Sequence, residues 1–152
     1  MESEENMTEI FILHGPNLNL LGKRDQTIYG AKSLDELNQR LKKFGEKQGV
    51  AITTAQSNHE GELIDYLQGA EGTYAGVVFN PGGYTHTSVA VRDAVEALRI
   101  PVIEVHLSNI LDREDFRHTS IIAPVSQGTI SGLGELSYLL GMEAVRMLGS
   151  EG

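Results

Sequence analysis

The 152-residue chain contains no cysteine, no tryptophan and only four prolines. The missing thiols exclude disulfides, zinc ribbons and a cysteine nucleophile together. Stability must then come from packing, and a chain of this length can bury a core as one domain without covalent staples. Positive charge is also scarce: twelve Lys and Arg stand against twenty-one Asp and Glu, a net charge of -9. That balance opposes binding to nucleic acid or to an anionic membrane. An anionic ligand would need a local cationic patch. Long hydrophobic runs are absent, since apolar stretches reach about five residues, as in Ala75 to Phe79, against the roughly 20 needed to span a bilayer. Residues 1–9 are acidic and carry neither a basic leader nor an apolar signal core. The expectation is one domain over residues 1–152, loose at 1–8 and 149–152, that stays in the cytoplasm.

The chain's periodicities alternate. Leu34, Leu37, Leu41 and Phe44 recur at spacings of three and four, which predicts a helix, with Ser33 and Glu36 as a capping box and Gly49 closing it. Runs of strand length lie at Ile10–Leu13, Val50–Ala55, Ala75–Phe79, Val102–Val105 and, more weakly patterned, Ile121–Val125. Helical patterns separate them around Leu63, Ile64 and Leu67, around Val91, Val95 and Leu98, and through Leu136, Leu140, Glu143 and Met147, with a short helical turn at Asp112–Arg117. Strands alternating with helices imply a parallel sheet covered on both faces. The fold expected is α/β, a flavodoxin-like three-layer arrangement with a five-stranded parallel sheet in the order 2-1-3-4-5. In that order ligands bind beyond the C-terminal ends of strands one, three and four. The segments there are His14–Gly22, Asn80–Ser88 and Glu104–Asn109, which hold much of the chain's unusual polar chemistry.

Glu104 and His106, two apart on a strand, project from one face. A carboxylate so placed can hold an imidazole in one tautomer for proton transfer; a satisfied polar pair at a sheet end has the same pattern. Thr85-His86-Thr87-Ser88 opens a helix, where N–H groups and hydroxyls can grip an anion or serve as ordinary caps. Asn80 replaces the aspartate that a receiver-domain phosphoacceptor would need. Gly22 to Gly30 is bounded by glycines and carries Lys23, Arg24 and Tyr29, either a loop able to close over a ligand or a solvated connection. Arg113 and Arg117 could share a helical face and, with Lys23 and Arg24, supply the cationic patch. Histidines 14, 86 and 106 at strand ends make a metal-dependent hydrolase a competing idea, and a non-catalytic module for a small anion is another. No Gly-x-Ser-x-Gly elbow is present.

The ordered set His14-Gly-Pro-Asn-Leu-Asn-Leu-Leu-Gly22, Arg24 with Tyr29-Gly30, Gln56-Ser-Asn58, Asn80-Pro-Gly-Gly-Tyr-Thr-His-Thr-Ser88 and Glu104-Val-His-Leu-Ser-Asn109 resembles the type II dehydroquinase family, over about residues 10–140. The resemblance implies anti elimination of water from 3-dehydroquinate through an enolate, in the shikimate or quinate pathways, with no metal or organic cofactor. It implies Tyr29 as the base, Arg24 stabilising its phenolate, Asn17 stabilising the enolate through a water, and His106, oriented by Glu104, as the acid. It also implies that Asn80, His86, Leu107, Ser108 and Arg117 bind substrate, Leu107 through its backbone N–H. Asp93 is expected in a neighbouring subunit's site, within a dodecamer of trimers. Arg113 is a weaker site candidate. Gln26 stands where the family often has proline.

Overall fold

Side-chain alternation along the first strand decides the layering. Ile10 and Ile12 face one way and Phe11 and Leu13 the other, and all four are buried, so this strand needs cover on both faces. The computed structural model describes residues 7–23 and 32–151, without the side chains of the last two. Strands β1 (Thr8–His14), β2 (Val50–Gln56), β3 (Gly76–Asn80), β4 (Val102–His106) and β5 (Gly128–Ser131) form a parallel sheet in the order β2-β1-β3-β4-β5. Helices α1 (Leu34–Lys47) and α4 (Glu135–Glu151) cover one face, where Leu37, Leu41, Tyr138, Met142 and Val145 meet Ile10, Ile12, Val78, Ile103 and Val105. Helices α2 (Glu60–Ala70) and α3 (Val89–Glu96) cover the other, where Leu63, Leu67, Val91 and Val95 meet Phe11, Leu13, Val77 and Phe79.

The first helix begins as its sequence predicts, with the Ser33 hydroxyl accepting from the Glu36 N–H at 3.1 Å. Gly49, with φ of +71°, turns the chain into β2. Two expectations need correction. The fifth strand is Gly128–Ser131, and Ile121–Val125 is not in the sheet. The Ser120 hydroxyl accepts from the N–H groups of Ile122 and Ala123, turning the chain into a 3-10 helix that contains Pro124, while buried Ile122 joins the core on the α2/α3 side. Helix α4 forms where its pattern predicts; Leu136, Leu140 and Met147 face solvent on it, and it packs through Tyr138, Met142 and Val145. Asp112–Arg117 is not one turn but two 3-10 turns, Ile110–Asp112 and Asp115–Arg117, separated by an extended Arg113. Thr8 pairs with Val50, and α4 runs to Glu151.

Candidate active site

The loops after β1 and β3 touch through their backbones. The Gly15 N–H donates to the Asn80 carbonyl at 2.7 Å, and a Cβ at Gly15 would lie 2.6 Å from the Pro81 carbonyl, so only glycine permits this approach. Asn17 follows in the left-handed region at φ of 70°, alone among the described non-glycine residues. Its N–H donates to Asn58 Oδ1 at 2.9 Å, and Gln56 Nε2 donates to that same oxygen and to the Gly15 carbonyl, each at 3.1 Å. Strained backbone held by neighbouring groups is characteristic of ligand sites. Between these loops and the one after β4 lies a cavity of about 150 Å³, whose lining includes Asn17, Leu18, Asn80, His86, His106, Leu107, Ser108, Arg113 and Arg117.

Alternation along β4 sends Glu104 and His106 to the same face, as their spacing predicts, and both are buried. His106 Nε2 lies 2.5 Å from Glu104 Oε2. The Thr85 hydroxyl donates to Oε2 at 3.0 Å, and the Ser120 hydroxyl lies 2.8 Å from Oε1 and 3.0 Å from Oε2. A carboxylate only 1 % exposed needs such partners, because desolvation without them costs several kcal/mol, of order ~5. Glu104 thus engages Nε2 of the His106 ring. His86 Nδ1 donates to the Thr119 carbonyl at 2.9 Å, which leaves its Nε2 for a ligand.

The cationic side of the cavity comes from the segment after β4. Arg113 Nη1 donates to the Ser108 hydroxyl at 3.3 Å, and Arg117 Nε donates to Glu114 Oε2 at 3.0 Å. The hydrogen bond from Arg117 holds the exposed Glu114 carboxyl below the usual carboxylate range. The two arginines meet at the cavity without sharing a helical face, because the extended Arg113 places them by separate turns. His118 accounts for part of that placement: its Nε2 donates to the Arg113 carbonyl at 2.7 Å.

The strand-end histidines do not converge as metal ligands. His14 is fully buried, with Nδ1 2.9 Å from the Tyr138 hydroxyl and Nε2 2.8 Å from Asn38 Oδ1, and burial lowers its pKa to about 4. Among the described residues no group of three His, Asp or Glu side chains could hold a metal ion. No helix among them is long and apolar enough to cross a membrane. Asp93 is exposed on α3 and does not line the cavity of its own chain. Arg24 and Tyr29 lie outside the described residues. Sequence reasoning missed Thr85 and Ser120 as partners of Glu104, since a hydroxyl at a helix entrance reads as a cap. It also missed Tyr138, whose hydroxyl accepts from Asn80 Nδ2 at 3.1 Å.

Comparison with known proteins converges on one family. The family model for class II dehydroquinase matches residues 8–146. The chain is 55% identical over 136 residues to the 3-dehydroquinate dehydratase of Trichodesmium erythraeum, covering 90% of this chain and 91% of that one. It is 57% identical to the enzyme of the same name from Gloeothece citriformis, covering 90% of each. The crystal structure of a type II dehydroquinase from Butyrivibrio crossotus superposes with a TM-score of 0.90 at 39% identity, covering 92% of this chain and 98% of that one.

Proposed function

The chain belongs to the class II dehydroquinase family, and from that premise we infer that it is a hydro-lyase converting 3-dehydroquinate to 3-dehydroshikimate and water, in the shikimate pathway or in quinate catabolism. The observation that carries this reading is the single cavity onto which Asn17, Asn80, His86, His106, Ser108 and Arg117 open. Elimination of this kind needs a base, an acid, a stabiliser for the enolate and a grip on the substrate carboxylate.

Tyr29 removes the proton alpha to the ketone. An unperturbed tyrosine, with a pKa of about 10, is only about one part in a thousand phenolate at pH 7. Arg24 favours the phenolate, since an adjacent opposite charge shifts a pKa by about 1 to 3 units. The electron pair moves onto the carbonyl oxygen, where Asn17 stabilises the enolate through a water. When the carbonyl re-forms, the bond to the hydroxyl breaks and His106 protonates the departing oxygen. Water and a conjugated enone acid result, and proton exchange with solvent restores Tyr29 and His106. Glu104 holds the His106 ring throughout. Asn80, His86, Ser108, the Leu107 backbone N–H and Arg117 hold the substrate; the second arginine, Arg113, adds to the positive field.

The working form is a dodecamer of trimers in the cytoplasm, with no metal or organic cofactor, in which Asp93 completes a neighbouring subunit's site. The exposure of Asp93, and of Leu136, Leu140 and Met147 on α4, accords with surfaces that assembly covers. Light scattering should report a large homo-oligomer; a fully active monomer would refute both the assembly and the role of Asp93. The activity itself is tested by ultraviolet absorbance as purified protein is mixed with 3-dehydroquinate. A rise from the conjugated product is expected. No rise with folded protein would remove the reading.

A further inference from the structure

Behind the cavity, Asn80, Tyr138, His14 and Asn38 form a hydrogen-bonded chain whose direction follows from one end. The Gly82 N–H can only donate, and it donates to Asn80 Oδ1 at 3.1 Å. The other arm of that amide, Nδ2, therefore faces the Tyr138 hydroxyl 3.1 Å away and donates to it. Tyr138 then has to place its own proton elsewhere, and His14 Nδ1 lies 2.9 Å away. With Nδ1 accepting, His14 carries its proton on Nε2, which donates to Asn38 Oδ1 at 2.8 Å. Every donor meets an acceptor, in one direction only. A protonated His14 would set two donors against the Tyr138 oxygen and leave the hydroxyl proton without an acceptor. The depression of the His14 pKa to about 4 by burial accords with a neutral ring.

We propose that Tyr138, backed by His14 and Asn38, is a positioning residue that holds the Asn80 amide in one orientation. Asn80 thereby presents its second Nδ2 hydrogen to the cavity, as a donor that selects an acceptor oxygen on the ligand. Asn80 lines that cavity, whereas Tyr138, His14 and Asn38 do not, so their effect on a ligand passes through the amide. An amide free to rotate would offer oxygen or nitrogen with similar ease, and a ligand carboxylate, carbonyl or hydroxyl oxygen would lose a fixed partner. The inference rests on the dehydratase reading for the identity of the ligand alone.

A double-mutant cycle on KM for 3-dehydroquinate tests it. Tyr138→Phe is expected to raise KM about tenfold with kcat little changed, the size of one lost hydrogen bond. In an Asn80→Ala background the same change should alter KM by less than about twofold, because the residue it acts through is gone. Equal rises in both backgrounds would make Tyr138 merely structural and overturn the proposal, as would no rise in the wild-type background. Should Tyr138→Phe not fold, the Asn38 pair serves: Asn38→Ala raises KM and Asn38→Gln, which keeps a neutral amide acceptor, recovers most of the loss, whereas equal behaviour of the two overturns the idea. Nitrogen-15 NMR of His14 needs no turnover. A proton on Nε2 with Nδ1 as acceptor is expected, and a proton on Nδ1 would reverse the chain. Failure of wild-type turnover would count against the dehydratase reading and leave this NMR result to decide the proposal.

Discussion

His14 ends β1 and His106 ends β4, with β3 between them, yet their surroundings assign them opposite chemistry. Both nitrogens of His14, a fully buried ring, are committed to neutral partners, the Tyr138 hydroxyl and the Asn38 amide. His106 is bound on one side by a buried carboxylate that Thr85 and Ser120 also contact, and it lines the cavity. The neutral cage favours an uncharged ring at neutral pH, whereas a carboxylate partner favours an imidazolium. Position at a strand end therefore does not make a histidine catalytic. On the proposed reading, a charged fixed partner and one nitrogen open to a ligand suit His106 to proton transfer, and His14 has neither.

The largest expected effect asks whether the base lies outside both histidines. Tyr29→Phe should lower kcat by ~10² to 10⁴-fold, the usual range for loss of acid-base catalysis, with a modest change in KM. Arg24→Ala should act in the same direction, and the double variant should be little worse than Tyr29→Phe alone. Retention of most activity in Tyr29→Phe would return the base to a histidine, His86 first.

Acid should separate the two histidines next. His14 titrates near 6.5 when unfolded and at about 4 in the native protein. Above pH 6.5 neither state holds the proton. Between pH 6.5 and 4 the unfolded chain binds one that the native state refuses, so stability falls as pH falls and the loss is complete below about 4. The shift corresponds to ~3 kcal/mol at 1.36 kcal/mol per unit. Urea midpoints at several pH values should show this slope in the wild type and a shallower one in His14→Gln; parallel profiles would contradict it.

Glu104→Gln should weaken the contrast more gently, lowering kcat about tenfold while KM stays near its wild-type value, since a neutral amide still orients the ring but no longer stabilises its charged form. A larger rise in KM than fall in kcat would make Glu104 a substrate-binding group instead. The smallest effect lies away from both histidines: Ser33→Ala removes the α1 cap and should cost ~1 kcal/mol in urea unfolding without altering kcat.

Much of the frame was legible because periodicity is local. The α1 stripe and its Ser33 cap and the polar loops after β1, β3 and β4 follow from spacings within about ten residues, and the parallel sheet follows from strands alternating with helices along the chain. Packing partners are not local. Ile121–Val125 has the composition of a strand, but Ser120 and Pro124 turn it, and Gly128–Ser131, with little apolar signal, pairs with β4 instead. On α4 both faces carry apolar residues, and only contact with the sheet identifies the Tyr138, Met142 and Val145 side as buried. The site shows the same limit. Glu104 and His106 announce each other by spacing, whereas Thr85 and Ser120 reach Glu104 from 19 and 16 residues away, and Tyr138 reaches His14 from 124.

The division of labour between the histidines is tested most directly by kcat for 3-dehydroquinate, followed by product absorbance, in His106→Ala and His14→Gln side by side after circular dichroism has shown both to be folded. Loss of the acid should cost His106→Ala at least ~10²-fold, with KM little raised, while His14→Gln, whatever it loses in stability or KM, should keep kcat within a few-fold of wild type. Near-normal kcat in His106→Ala, or a larger loss in His14→Gln, would contradict the assignment of the proton-donating role to His106.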